Sequence, residues 1–155
     1  MLSRCNIPYY RTPYNHDLHD LCIQECKIKR YPVDKIHGKD SIAKYIPYGV
    51  NIASTAYANL ESRSTQVYIA LYSAFTIWID DIYARDITGV DSFNERFVTG
   101  RKQANEGLDG FDRFLRETNL HYHGIQASVI LTSTLNFVTS LILDFETKGM
   151  PVSLY

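Results

Sequence analysis

The chain has 155 residues, of which 45% are hydrophobic and 21% charged, and its formal net charge is −1. This length fits one domain with a sizeable core, and the composition excludes a disordered chain. The charges form no long run of one sign, which argues against a nucleic-acid-binding surface, because such a surface needs a clustered basic face.

The three cysteines are an odd count in so short a chain, which argues against a disulfide framework. They are Cys5, Cys22 and Cys26, and no second Cys/His pair follows at zinc spacing, so we expect reduced thiols. The N-terminus has no apolar segment typical of a secretory signal. A cytoplasmic protein is therefore the default expectation.

The first 40 residues are interrupted by prolines and by Gly38, and they predict only one short helix, over about 17–29. From Ser41 to Leu60, apolar residues follow helical spacing. Pro47 lies inside this segment and is expected to kink or split it.

The clearest predicted helix runs from Val67 to Ile82, with Ser64 or Thr65 as its cap. It is apolar nearly all round, which is typical of a helix at the centre of a bundle. It is expected to end between Arg85 and Gly89.

Three further helices are predicted towards the C-terminus. The first begins near Ser92, the second near Asp109, and the third covers roughly 124–147 and stops at Lys148-Gly149, with Pro151 beyond. Their apolar residues include Phe93, Phe97 and Val98 in the first, and Phe111, Phe114 and Leu115 in the second.

The stretch from Gly124 to Leu143 carries no charge and is as long as a membrane span. It also contains several hydroxyl and amide side chains, among them Gln126 and Asn136, which would need partners in hydrocarbon. We therefore predict a helix buried in a helical domain rather than a membrane span.

No segment alternates as a strand between hairpin turns, so the predicted fold class is all-α. Several of the helices are apolar on more than one face. A bundle of 155 residues has little capacity to bury so many faces, which indicates a native domain larger than this chain.

The segment that suggests chemistry is the end of the central helix, where thirteen uncharged residues, 67–79, lead to Asp80-Asp81. Such a pair is costly to bury, so it either lies in solvent or holds cations. Magnesium takes carboxylate, water and phosphate oxygens, so the pair could hold Mg²⁺ and, through it, a diphosphate. Apolar walls would then hold the hydrocarbon tail of that substrate.

Helical spacing places Ser73, Thr76 and Ile77 on the same face as Asp80, which predicts that they line the substrate pocket. Asp86 is off this face in a straight helix, and approaches it only if the helix ends near Arg85. The aromatic residues of the same helix predict core packing rather than a pocket; they are Tyr68, Tyr72, Phe75 and Trp78.

Residues 67–86 resemble the aspartate-rich helix of class I terpene synthases, and most closely that of the fungal trichodiene-synthase-like group. In that group an apolar helix with a Tyr-x-Ala/Ser pattern runs into Asp-Asp, as it does from Tyr68 to Asp81. Residues 136–155 resemble the segment in which a long helix leads to a Phe-Glu pair and a Gly/Pro turn. The likeness covers roughly residues 40–155.

The resemblance implies that residues 1–155 form a single domain, the N-terminal portion of an isoprenoid-synthase α-bundle. It implies a three-Mg²⁺ site, and ionisation and cyclisation of a prenyl diphosphate, usually farnesyl diphosphate. Asp80 would be the direct metal ligand, Asp81 would assist by pairing with a basic residue, and Asp86 is the remaining candidate ligand.

The chain departs from the family pattern at three points. The third acidic residue, usual three or four positions after the first Asp, is replaced by Tyr83 and Ala84. The second metal motif, Asn-Asp-x-x-Ser-x-x-x-Glu, does not occur in the chain, and no Arg-Tyr pair follows the aspartates. The 155-residue chain by itself is therefore predicted to be inactive or very weak.

Two alternatives remain open at this stage. A chain-elongating prenyltransferase shares the implied fold and the aspartate-rich helix. A non-catalytic helical protein that binds a lipid or a partner fits the missing second motif. Neither the terpene product nor the oligomeric state is determined by these residues.

Overall fold

A computed structural model describes residues 12–33, 38–83 and 87–148. These residues form helices and no strand, which confirms the all-α prediction for the described part of the chain. The helices in chain order are α1 (His16–Lys29), α2 (Ile46–Thr55), α3 (Arg63–Tyr83), α4 (Ile87–Val90), α5 (Phe93–Thr99), α6 (Glu106–Arg116), α7 (Thr118–His121) and α8 (Ile125–Thr147).

Helix α1 confirms the first predicted helix. Asn15 caps it by accepting a hydrogen bond from the Leu18 amide at 3.0 Å. Its last turn closes with Arg30 in the left-handed conformation, at a φ of 55°. Its inner face buries Leu18 with both Cys22 and Cys26, which are free thiols. Burial raises the pKa of Cys22 to about 12, so this thiol is uncharged and unreactive at neutral pH.

Helix α2 confirms that the helical segment is split next to Pro47, although no kink forms there. The proline lies in the first turn of the helix, where it needs no amide partner, so it starts α2 and does not kink it. A 3₁₀ turn over Ala43–Tyr45 leads into this start. The predicted apolar stripe is also shorter than expected, because Ile52 and Ala56 are exposed.

The close contact between α2 and α3 depends on Gly49. A Cβ atom at this position would overlap the carbonyl oxygen of Ala70, so only glycine allows the two backbones to approach at this distance. This close contact between α2 and α3 forms part of the hydrophobic core.

Helix α3 is the central helix, as predicted. Most of its residues after Gln66 are buried, and Phe75 and Trp78 are fully so. Its predicted cap was wrong by two or three positions. The side chain of Ser62 accepts the Thr65 amide at 3.3 Å, because Ser64 and Thr65 already lie in the first helical turn.

Helix α6 covers the other side of α3 with aromatic rings. Phe111 stacks on Phe75 with ring centroids 5.4 Å apart. Gly107 leaves room for the indole of Trp78, with which a Cβ atom would collide. The helix begins at Glu106, three residues earlier than predicted, because Asn105 accepts the Leu108 amide at 2.9 Å and caps it.

Helix α5 buries Phe93 and half-buries Phe97, but Val98 is 76% exposed. Of the three apolar residues named for this helix, Val98 therefore does not contribute to the buried face. It adjoins Phe97 in sequence and falls on the outer side of the helix, where the described residues leave it in solvent.

Helix α8 differs most from its prediction. Within the described residues it buries only Ala127, Thr134 and Val138, so the expected burial is not met by this chain. By length and composition it is the one described helix that could cross a membrane, and 11% of its most apolar window is buried. Its hydroxyls bond to carbonyls of the preceding turn, as Ser140 does to Asn136 at 2.9 Å. The predicted stop at Gly149 and Pro151 lies outside the described residues.

Candidate active site at the end of α3

One stripe of α3 stays uncovered. Between Val67 and Tyr83 every residue is buried except six, which fall at helical spacing and line up along one side. They are Tyr72, Ser73, Thr76, Ile77, Asp80 and Asp81. The structure thus places all three predicted wall residues on one face that leads to the aspartate pair.

The hydroxyl groups on this stripe are satisfied within the helix. Ser73 donates to the carbonyl of Ile69 at 2.9 Å, and Thr76 donates to the carbonyl of Tyr72 at 3.0 Å. Since each hydroxyl has one proton to donate, these side chains present a ligand mainly with lone pairs and small apolar surface. Ile77 adds an aliphatic side chain that packs partly on the core.

Asp81 is held by the 3₁₀ turn that precedes α2. The ammonium of Lys44 lies 3.0 Å from one carboxylate oxygen, and the hydroxyl of Tyr45 donates to the same oxygen. A hydrogen bond with Tyr45, and next the one with Asp81, raises the pKa of Lys44, while burial, and next the bond to Asp81, raises the pKa of Tyr45. Both donors therefore keep their protons at neutral pH, and Asp81 is fixed in place.

Asp80 has a different environment although it adjoins Asp81. It is exposed, and no described residue forms an ion pair or hydrogen bond with it. One carboxylate of the pair is thus engaged by protein donors, and the other is available to a ligand. An exposed, unpaired carboxylate at the end of a buried helix suits a hard cation such as Mg²⁺ as one of its oxygen ligands.

The rest of a metal site is not assembled in the described ranges. They contain no group of three or more His, Cys, Asp or Glu side chains that could hold a metal ion. Arg85 and Asp86 lie outside the described residues, so the predicted third ligand is not placed. In the described ranges, the carboxylate available to a cation is therefore that of Asp80, and Asp81 lies beside it.

The sequence predicted a basic partner for Asp81 without naming one, and it did not indicate Lys44 or Tyr45. A signal was present, because Lys44 is the only charged residue between Ser41 and Leu60. A single cation in one apolar helical segment is expected to form an ion pair with an aspartate at the end of another. The spacing along the chain, 37 residues, hid the contact.

The aromatic residues of α3 confirm the core prediction. Tyr68, Phe75 and Trp78 are buried, and Tyr72 is half-buried. The Trp78 indole donates to the carbonyl of Lys39 at 3.2 Å, so its polar atom is satisfied inside the core.

The chain is similar to terpene synthases from several fungi. It is 31% identical over 151 residues to an alpha-cuprenene synthase from Coprinopsis cinerea, covering 97% of this chain and 46% of that protein. It is 30% identical over 110 residues to a monoterpene synthase from Postia placenta, covering 70% and 33%. It is 30% identical over 139 residues to the terpene synthase BipA of Cochliobolus sativus, covering 87% and 41%. No protein-family profile matches the chain.

These findings extend the likeness to nearly the whole chain, beyond the 40–155 expected from the motifs. The chain spans less than half the length of these relatives. The all-α arrangement of the described residues agrees with a partial fold of the terpene synthase type. The chain belongs to the fungal class I terpene synthase-like family.

Proposed function

We propose that this chain forms the aspartate-rich side of the active site of a terpene cyclase that ionises a prenyl diphosphate. The observation that carries the proposal is the asymmetric aspartate pair, in which Asp81 is tied to Lys44 and Asp80 stays exposed. The relatives are terpene synthases, which supports a cyclase activity. Because the chain spans less than half of their length, the remaining part of the site is proposed to lie outside it.

The finer assignments are Mg²⁺ as the cofactor and farnesyl diphosphate as the substrate. A bound Mg²⁺ would neutralise the diphosphate and make it a better leaving group. Asp80 would hold the ion, and Asp81 would be kept clear of it by Lys44 and Tyr45. Asp86 is proposed as a further ligand.

The stripe formed by Ser73, Thr76 and Ile77 would serve as one wall for the hydrocarbon chain. Its hydroxyl protons are engaged by helix carbonyls, so the hydroxyls would present their lone pairs to a carbocation and stabilise its positive charge electrostatically. Excluding water from this wall would favour cyclisation over hydrolysis.

The test compares Asp80→Ala with Asp20→Ala in the protein made from the full open reading frame that encodes this chain. Asp20 is an exposed aspartate on α1, away from the site, so Asp20→Ala is the matched control for Asp80→Ala. We expect Asp80→Ala to lower Mg²⁺-dependent cyclisation of farnesyl diphosphate by about a hundredfold or more, with unchanged thermal stability. We expect Asp20→Ala to have no effect.

Full activity in Asp80→Ala would refute the site assignment. Product lengthening with added isopentenyl diphosphate would support the prenyltransferase alternative. Absence of any Mg²⁺-dependent diphosphate binding would favour the non-catalytic alternative.

A further inference from the structure

A second concave site lies between α1, α3 and α6. It is a cavity of about 300 Å³. Its buried lining residues are Val67, Tyr68 and Leu71 of α3, Phe114 of α6, and Tyr31, which follows α1. The ring of Tyr68 stacks on Phe114 at 4.6 Å, and its hydroxyl bonds to that of Thr118 at 2.8 Å. The floor is therefore apolar and held in place from two sides.

This cavity is separate from the aspartate pair. Leu71 is the last α3 residue that lines it, and Asp80 follows nine residues later. At about 1.5 Å per residue, the two sites are about 14 Å apart along the helix axis. None of the stripe residues Ser73, Thr76 and Ile77 lines the cavity.

The rim of the cavity carries polar groups whose charges largely cancel. Glu117 is paired with Lys29 at 3.0 Å, and Tyr31 donates to it at 3.5 Å. Burial lowers the pKa of His121, so its imidazole is neutral at pH 7. Of the remaining two lining charges, Glu25 is negative and Arg63 positive. The rim therefore offers hydrogen bonds without favouring an ion of either sign.

The size of the cavity bounds the ligand. Cavities of about 300 Å³ lie at the lower end of small-molecule sites, which are mainly apolar with a few polar groups. An apolar cavity of about 150 Å³ holds one benzene ring, which scales to roughly twelve carbon atoms for this one. A single hydroxyl on such a body can both donate and accept at the rim.

We propose that this cavity is a binding site for a neutral alcohol with a hydrocarbon body of about ten to fifteen carbons. The site does not depend on the aspartate pair or on the proposed cyclase activity. It would allow the protein to bind an uncharged hydrocarbon alcohol near one end of α3 and the charged diphosphate at the other end.

The test uses two matched exposed aliphatic residues. Ile28 lines the cavity and is 73% exposed, while Val98 on α5 is 76% exposed and lies outside it. Both lie in solvent, so neither Ile28→Glu nor Val98→Glu is expected to prevent folding. The probe is geraniol, a ten-carbon alcohol, titrated by calorimetry into the full chain without divalent metal, with geranyl diphosphate as the charged control.

We expect saturable binding of geraniol to the unmodified chain and to Asp80→Ala, and much weaker binding of geranyl diphosphate. Ile28→Glu should weaken geraniol binding by about tenfold or more, whereas Val98→Glu should change it by less than about twofold. The proposal is overturned if geraniol does not saturate the chain, or if both variants lose binding equally. It is also overturned if Ile28→Glu binds normally or if Asp80→Ala abolishes binding.

Discussion

Helices α3 and α8 are both long and apolar, with 21 and 23 residues, yet they are buried to very different extents. After its exposed first turn, α3 has only one uncovered stripe, whereas α8 buries three residues among those described. An uncharged sequence was sufficient to predict a helix in both cases. It did not predict burial, because burial depends on the surfaces that pack against the helix.

The difference follows from the number of neighbours. Helix α3 is covered by α2, which Gly49 brings close, and by the aromatic rings of α6. Helix α8 packs on the described part along one side only, through buried Val138, partly buried leucines such as Leu131 and Leu135, and a few polar contacts. Asn94 of α5 donates to the carbonyl of Leu135 at 2.9 Å, and Tyr72 of α3 bonds to Thr134 at 2.8 Å.

The largest expected effect separates two phenylalanines that differ mainly in burial. Phe75 in α3 is fully buried, and Phe145 in α8 is 41% exposed. Phe75→Ala removes a core ring and leaves a cavity, so it should lower the free energy of unfolding by about 3–5 kcal/mol. Phe145→Ala should cost about 1 kcal/mol or less. Urea denaturation followed by circular dichroism measures both. Equal losses would contradict the contrast between the two helices.

An intermediate effect is expected at the α2–α3 contact. Gly49→Ala puts a methyl group against the Ala70 carbonyl and should cost about 1–3 kcal/mol. Gly89→Ala is the matched control, since its nearest neighbour is the Leu108 side chain at 3.3 Å, which can yield. Thermal unfolding of the two variants and of the parent protein measures the loss of stability in each variant.

The same substitution also bears on the site, because Lys44 and Tyr45 precede α2 directly. If Gly49→Ala moves α2 away from α3, the hydrogen bonds from Lys44 and Tyr45 to Asp81 should weaken. A Gly49→Ala protein as stable as the parent would show that the two helices do not pack as closely as described.

The smallest expected effect concerns the hydrogen bond between α3 and α8. Thr134 donates its own proton to the Ile130 carbonyl at 2.7 Å, so Tyr72 is the donor in their bond. Tyr72→Phe should therefore cost about 1 kcal/mol. A double-mutant cycle with Thr134→Val, measured by chemical denaturation, isolates the bond. A coupling energy of zero would mean that this contact does not attach α8.

The candidate site was predictable in part. Helical spacing correctly placed Ser73, Thr76 and Ile77 on one side with Asp80, because the period of a helix fixes which residues share a face. The two neighbours that distinguish Asp81 from Asp80 were not predictable from local pattern. Lys44 and Tyr45 reach Asp81 across 37 and 36 residues, through packing that depends on a glycine in α2.

The sequence by itself determined the all-α class, the longer helices and the aspartate pair at the end of the central helix, because these depend on local periodicity and capping. It also carried the likeness to fungal terpene synthases, because motifs are linear. Only the tertiary structure decided that Pro47 begins a helix, that α8 is largely exposed, and that Asp81 is engaged while Asp80 is not. Each of these depends on which surfaces meet, and contacts between distant segments are set by the packing of the whole chain.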